Sequence, residues 1–95
     1  MKNNITLITG GDRGIGRATA INLAHKGHKV CIGYHTRQDC AQEVLDIIRH
    51  SGGTAIAVQA DISQEEHIVS LFQQIDKELG PISGLVNNAG IIMPQ

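Results

Sequence analysis

The sequence predicts an α/β fold, a doubly wound parallel sheet with helices on both faces. Four short apolar runs of strand length alternate with three helix-length segments, a rhythm that builds right-handed βαβ units and sets the strands in parallel. The first run leads straight into a glycine-rich turn, Thr9-Gly10-Gly11-Asp12-Arg13-Gly14-Ile15-Gly16, which opens the first helix. The other unusual polar or glycine clusters also follow strands: His35 to Arg37, Asp61, and Asn87 to Gly90. In a doubly wound sheet, the carboxyl ends of the strands form the edge where ligands gather.

Each element has its own local cause. Ile5 to Thr9 is β-branched-rich and ends in glycine, as a strand does before a tight turn. From Gly14 to Lys26 the residues Ile15, Ala18, Leu23 and Ala24 fall near helical spacing, and Gly27 stops the helix. Lys29 to Tyr34 is a second buried strand, followed by the polar turn His35 to Asp39. The next helix carries Ala41, Val44, Leu45 and Ile48 as one apolar stripe, with Gln42, Glu43, Asp46 and Arg49 away from it, and stops at Ser51-Gly52-Gly53. A third strand is expected over Thr54 to Ala60, closed by Asp61. Ser63 and Glu66 have the spacing of a capping box for a third helix with the stripe Ile68, Leu71, Phe72, Ile75 and Leu79. Gly80-Pro81 ends that helix, and Ile82 to Val86 form a fourth strand running into Asn87-Asn88-Ala89-Gly90.

Composition narrows the function. With 95 residues, 41% apolar and 18% charged, the chain has length for one domain and no linker, repeat or low-complexity segment. A net charge of −1 and two aromatic residues, Tyr34 and Phe72, give neither a basic stripe nor a stacking platform, so no nucleic acid partner is expected. The first apolar stretch is far shorter than a signal or membrane segment, which implies no membrane partner and a cytoplasmic protein. Cys31 and Cys40 match no C-x-x-C or zinc spacing and are expected as free thiols. His25, His28, His35, His50 and His67 form no metal spacing either, although His35 lies where it would brush an adenosine.

The glycine turn is a phosphate cradle. Glycines tolerate φ > 0 and leave no Cβ between backbone N–H groups and a pyrophosphate, and the helix behind presents unpaired N–H groups and a positive dipole end. The guest that fits is a dinucleotide. The spacing is T-G-x-x-x-G-I-G rather than G-x-G-x-x-G.

Taken with Asp61 after the third strand and Asn87-Asn88-Ala89-Gly90 after the fourth, this spacing resembles the N-terminal part of the short-chain dehydrogenase/reductase family over essentially the whole chain. The resemblance implies a Rossmann-type sheet of order 3-2-1-4, incomplete relative to the family, with residues 1–95 as the N-terminal part of a single NAD(P)-binding domain. It implies that Gly10, Asp12, Arg13, Gly14, Ile15 and Gly16 line the adenosine and pyrophosphate, Ile15 supplying a backbone N–H. It further implies that Asp61 accepts a hydrogen bond from the adenine amino group with Ile62 beside the ring. Asn87 would tie neighbouring strands, while Asn88, Ala89 and Gly90 pass the adenine-side ribose.

The choice of cofactor follows from charge. An NAD site places an acid near the end of the second strand to hold the ribose 2′-OH. Here that place reads Tyr34-His35-Thr36-Arg37, and the next acid, Asp39, falls in the following segment. Arg13 and Arg37 are suited to pair with a 2′-phosphate, and Thr36 to donate a hydroxyl, so NADP(H) is favoured over NAD(H). Asp12 opposes this, because relatives that use NADP often carry a serine there; the conflict disappears if Asp12 points into solvent or pairs with Arg13.

The family's Tyr-x-x-x-Lys pair has no counterpart: four residues after Tyr34, the sole tyrosine, stands Gln38. The resemblance therefore implies the cofactor half of an oxidoreductase of alcohols, ketones or sugars, inactive alone, which meets a small carbonyl or alcohol substrate only with a C-terminal half. Strand 4 as an open edge and a second face under one helix lead to the expectation of a marginal or homo-oligomeric chain, or part of a longer product. The alternative is a nucleotide-binding or partner-binding remnant without catalysis.

Overall fold

A computed structural model describes residues 4–10, 12 and 14–87, with Asn87 through its backbone alone. The elements run β1 (Ile5–Thr9), α1 (Gly14–His25), β2 (Lys29–Tyr34), α2 (Gln38–His50), β3 (Ala55–Gln59), α3 (Glu65–Glu78) and β4 (Gly84–Asn87). The four strands form one parallel sheet of order β3-β2-β1-β4, the order expected from the sequence. Thr9 lies level with Gly33 on one side and Asn87 on the other, and Tyr34 with Gln59, so all four strands end at one edge.

Alternation along the strands divides the core into two layers. Ile8, Val30, Ile32 and Ala55 face α1 and α2, where they meet Ala20, Ala24, Ala41, Val44, Leu45 and Ile48. Ile5, Leu7, Cys31 and Val58 face the other way, onto Leu71 and Ile75 of α3. The chain therefore crosses one face twice and then switches to the other, as the doubly wound plan requires. Small residues on α1, Ala20 and Ala24, let that helix lie close to the strands. A contact between Arg17 Nη1 and Glu43 Oε1 at 2.8 Å joins α1 to α2 on the outside.

Three local expectations are corrected. The fourth strand starts at Gly84, two residues later than Ile82, because Ser83 occupies the entry: its Oγ lies 2.9 Å from the Ile5 amide, and its own amide donates to Ile5 O at 2.8 Å. Ser63 does not cap α3. Its hydroxyl and amide both donate to Asp61 Oδ1, at 2.7 and 3.0 Å, and the residue preceding the helix is Gln64, whose side chain makes no capping bond. A carboxylate two residues upstream is the stronger acceptor and turns the chain by itself.

The stripe of α3 is also narrower than its periodicity predicts. Leu71 and Ile75 are buried, whereas Phe72 is 44% exposed. Leu85, level with Leu7 on the same face, is 57% exposed, so among the described residues α3 covers the β1–β2–β3 part of this face and leaves β4 open. Among those residues no helix is long and apolar enough to cross a membrane.

Candidate cofactor site

The carboxyl edge of the sheet collects the polar residues, and the backbone holds that edge in register. The Gly10 amide donates to Gly33 O at 2.7 Å and the Ala60 amide to Tyr34 O at 2.9 Å, each carrying the ladder one residue beyond its strand. Thr9 Oγ1 donates to Val86 O at 3.4 Å, and Gln59 Nε2 to His35 O at 2.9 Å. The turns after β1, β2 and β3 are thus each anchored to a neighbouring strand.

After β1 the chain turns through Gly10 at φ 70° and Gly14 at φ 62°, left-handed conformations that side chains with a Cβ rarely adopt. A Cβ built on Gly14 meets nothing within 4 Å among the described residues. Among the described residues the space beside Gly14 at the start of α1 is open. Gly16 is buried in the first turn of the same helix, while Ile15 is 78% exposed at its start, an uncovered aliphatic side chain beside that space. Asp12 is 4% exposed and is engaged with its surroundings, so it does not point into solvent. Arg13, Asn88, Ala89 and Gly90 lie outside the described residues.

After β2, His35, Thr36 and Arg37 are exposed. Arg37 directly precedes α2, and its Nε and Nη2 donate to Asp39 Oδ1 and Oδ2 at 3.1 and 3.0 Å. This two-pronged pair holds the Asp39 carboxyl below its ordinary range and raises the Arg37 guanidinium further above its own; the negative charge of Asp12 adds to the latter. The sequence separates Asp39 from the turn as part of the next segment; the structure brings its carboxylate back onto Arg37. Two residues' separation gives no helical-face signal, so this pairing is not legible from periodicity.

After β3, Asp61 is half-buried and centred among three donors and bases. Ser63 takes Oδ1 twice, while Oδ2 meets His35 Nε2 at 3.6 Å. His67, from the first turn of α3, accepts the Asp61 amide on Nδ1 at 3.0 Å. The Ser63 hydroxyl and amide hold the Asp61 carboxyl below the usual range; burial opposes them, and His35 and His67 add smaller lowering effects. One carboxylate oxygen is therefore filled twice by Ser63, and the other has the His35 ring beside it. From sequence His67 is only one of five histidines without metal spacing and has no role assigned here; its signal is a position six residues past Asp61 at a helix start. Ile62 lies next to this carboxylate, half-buried.

These features suit a dinucleotide: an open glycine cradle at a helix start, an uncovered isoleucine beside it, and a charged acceptor two strands away on the same edge. The family model for short chain dehydrogenase matches residues 4–95. The chain belongs to the short-chain dehydrogenase/reductase family. It is 50% identical over 91 residues to the uncharacterized oxidoreductase YgfF of Escherichia coli strain K12, a match covering 96% of this chain and 37% of that protein. It is 40% identical over 89 residues to the short-chain dehydrogenase/reductase homolog YusS of Bacillus subtilis strain 168, covering 94% of this chain and 82% of that one.

Among solved structures, a dehydrogenase/reductase from Sinorhizobium meliloti 1021 superposes with a TM-score of 0.91 at 37% identity, over 96% of this chain and 36% of that one. The chain thus spans little more than a third of YgfF and of that structure. The family is one of oxidoreductases that bind nicotinamide dinucleotides, and the order of the sheet and the doubly wound topology are those of its Rossmann-type fold.

Proposed function

We propose that this chain is the cofactor-binding part of an NADP(H)-dependent oxidoreductase acting on an alcohol, ketone or sugar. When bound, the nicotinamide cofactor supplies or accepts the hydride; the residues of this chain bind and orient it. Gly10 and Gly14 leave room for the pyrophosphate at the start of α1, where the Ile15 amide is one of the N–H groups without a helical partner. Gly16 keeps the helix close behind them. Asp61 Oδ2 is the acceptor for the adenine amino group, because Ser63 already fills Oδ1, and Ile62 packs beside the ring. Asn88, Ala89 and Gly90 are assigned to the adenine-side ribose.

The observation that carries NADP(H) over NAD(H) is the turn after β2, where His35, Thr36 and Arg37 are exposed and the next acid along the chain, Asp39, is committed to Arg37. A guanidinium at this place suits a 2′-phosphate, and Thr36 and Arg13 are the further donors. Asp12 lies inward and its negative charge acts on Arg37, so it remains the feature that opposes a 2′-phosphate. Free Cys31 and Cys40 fit a cytoplasmic setting, and the uncovered Leu85 and Phe72 fit association with a second copy.

The test is Arg37→Ala, with NADPH and NADH affinities measured side by side. NADPH binding is expected to weaken by about tenfold, the scale of one charge-assisted phosphate contact, and NADH binding by less than about twofold. Equal losses for the two nucleotides would overturn the NADP(H) assignment.

A further inference from the structure

The pair between Arg37 and Asp39 bears on more than local structure. Arg37 is the cation that the NADP(H) reading assigns to the 2′-phosphate, yet the side of its guanidinium fork best matched to an oxyanion is already occupied by a carboxylate at 3.0 and 3.1 Å. Both groups are open to solvent, with side-chain exposures of 48% and 72%, so exchange of one anion for another needs no rearrangement of the core. We propose that Asp39 sets how strongly this chain distinguishes NADPH from NADH, by competing with the 2′-phosphate for Arg37.

The inference rests on the NADP(H) reading and gives it a specific limit. A 2′-phosphate carries more charge and more acceptor oxygens than a carboxylate, so it displaces Asp39 and leaves a free carboxylate close to the new anion. NADH has no such group, and the internal pair persists in its complex. Asp39 therefore subtracts from NADPH affinity and leaves NADH affinity unaffected. It acts through Arg37 and touches no cofactor itself, which makes it a positioning residue. Its place in the first turn of α2 also favours the helix, because a carboxylate there meets the positive end of the dipole. That contribution is common to both nucleotide complexes and cancels in their ratio.

The experiment measures dissociation constants for NADPH and NADH, at low and high salt, on the chain and on Asp39→Asn, Arg37→Ala and the double variant. Asp39→Asn is expected to tighten NADPH by about two- to fivefold, the range that coupling of an exposed pair spans, with NADH changed by less than about twofold. The gain should vanish in the Arg37→Ala background and shrink at high salt. A gain that survives undiminished without Arg37 marks a general charge effect and overturns the competition, as does an unchanged or weakened NADPH affinity in Asp39→Asn. The two readings fail separately. If Arg37→Ala lowers the NADPH preference while Asp39→Asn does nothing, only the competition is wrong. If Arg37→Ala leaves the preference unchanged, the NADP(H) assignment falls and the competition with it.

Discussion

Replacing Gly14 by alanine tests the cradle in two independent ways. Gly14 sits at φ 62°, where a residue with a Cβ is strained by about 1–2 kcal/mol. No helix-propensity gain offsets that strain, because a residue at this φ lies outside the right-handed helical region although it starts α1. The added methyl meets nothing within 4 Å among the described residues, so no packing cost joins the backbone cost. For a chain of 95 residues the melting temperature should fall by roughly 4–15 °C. Dinucleotide binding should suffer beyond that: a methyl group intruding into a close contact costs about 1–3 kcal/mol, or about five- to 150-fold in affinity, for NADPH and NADH alike. Thermal melts by circular dichroism and fluorescence titrations with both nucleotides read the two effects. An unchanged melting temperature refutes the left-handed geometry. A lower melting temperature with unchanged affinities means that the open space over Gly14 is not where the cofactor lies.

Two further predictions concern titrating groups. Ser63→Ala removes the hydroxyl donor to Asp61 Oδ1, and the carboxyl's titration midpoint, followed by carbon NMR, should rise from below its ordinary value of about 3.9 toward it. Because the folded-state value is depressed, the stabilisation is complete above the unfolded value of about 3.9 and is lost as pH falls through the folded one. Stability curves of variant and parent should therefore converge in acid, and a fixed gap down to the lowest pH would contradict the assignment. Cys31 is fully buried, and burial, with a smaller effect from Glu78, pushes its thiol up to about 12. At pH 8 a thiol reagent should modify the half-buried Cys40 and reach Cys31 only at the rate of unfolding; equal fast labelling of both would refute the packing under α3.

The sequence carries the frame of this molecule well and its edges poorly, for physical reasons visible in single elements. The stripe on α2 is borne out at every position, with Ala41, Val44, Leu45 and Ile48 all buried, because that helix shares its face of the sheet with α1 and is covered from the side. The same rule over-predicts α3. Periodicity shows which side of a helix faces the sheet, but the width of cover depends on what lies beside it, and Phe72 has no neighbouring helix among the described residues to complete its burial. Ser63 has the spacing of a capping box, yet Asp61 wins its hydroxyl, since charged acceptors outcompete backbone geometry at short range.

At the site, the grouping of the turns at one edge is readable from where glycines and polar clusters fall after strands. The detail within the turns is not. Arg37 turning onto Asp39, and His67 turning back to the Asp61 amide, depend on rotamers and on the angle at which each helix leaves its loop. Neither leaves a periodic trace.

The most direct measurement of the central claim is amide mapping of the isotope-labelled chain by NMR during titration with NADPH. Saturable shifts are expected at Gly10, Gly14, Ile15, Gly16, His35 to Arg37 and Asp61, on the carboxyl edge of the sheet, with Gly27, Gly52 and Gly80 at the opposite ends of the strands unmoved. Shifts centred on those opposite turns, or none at millimolar nucleotide, would contradict that claim.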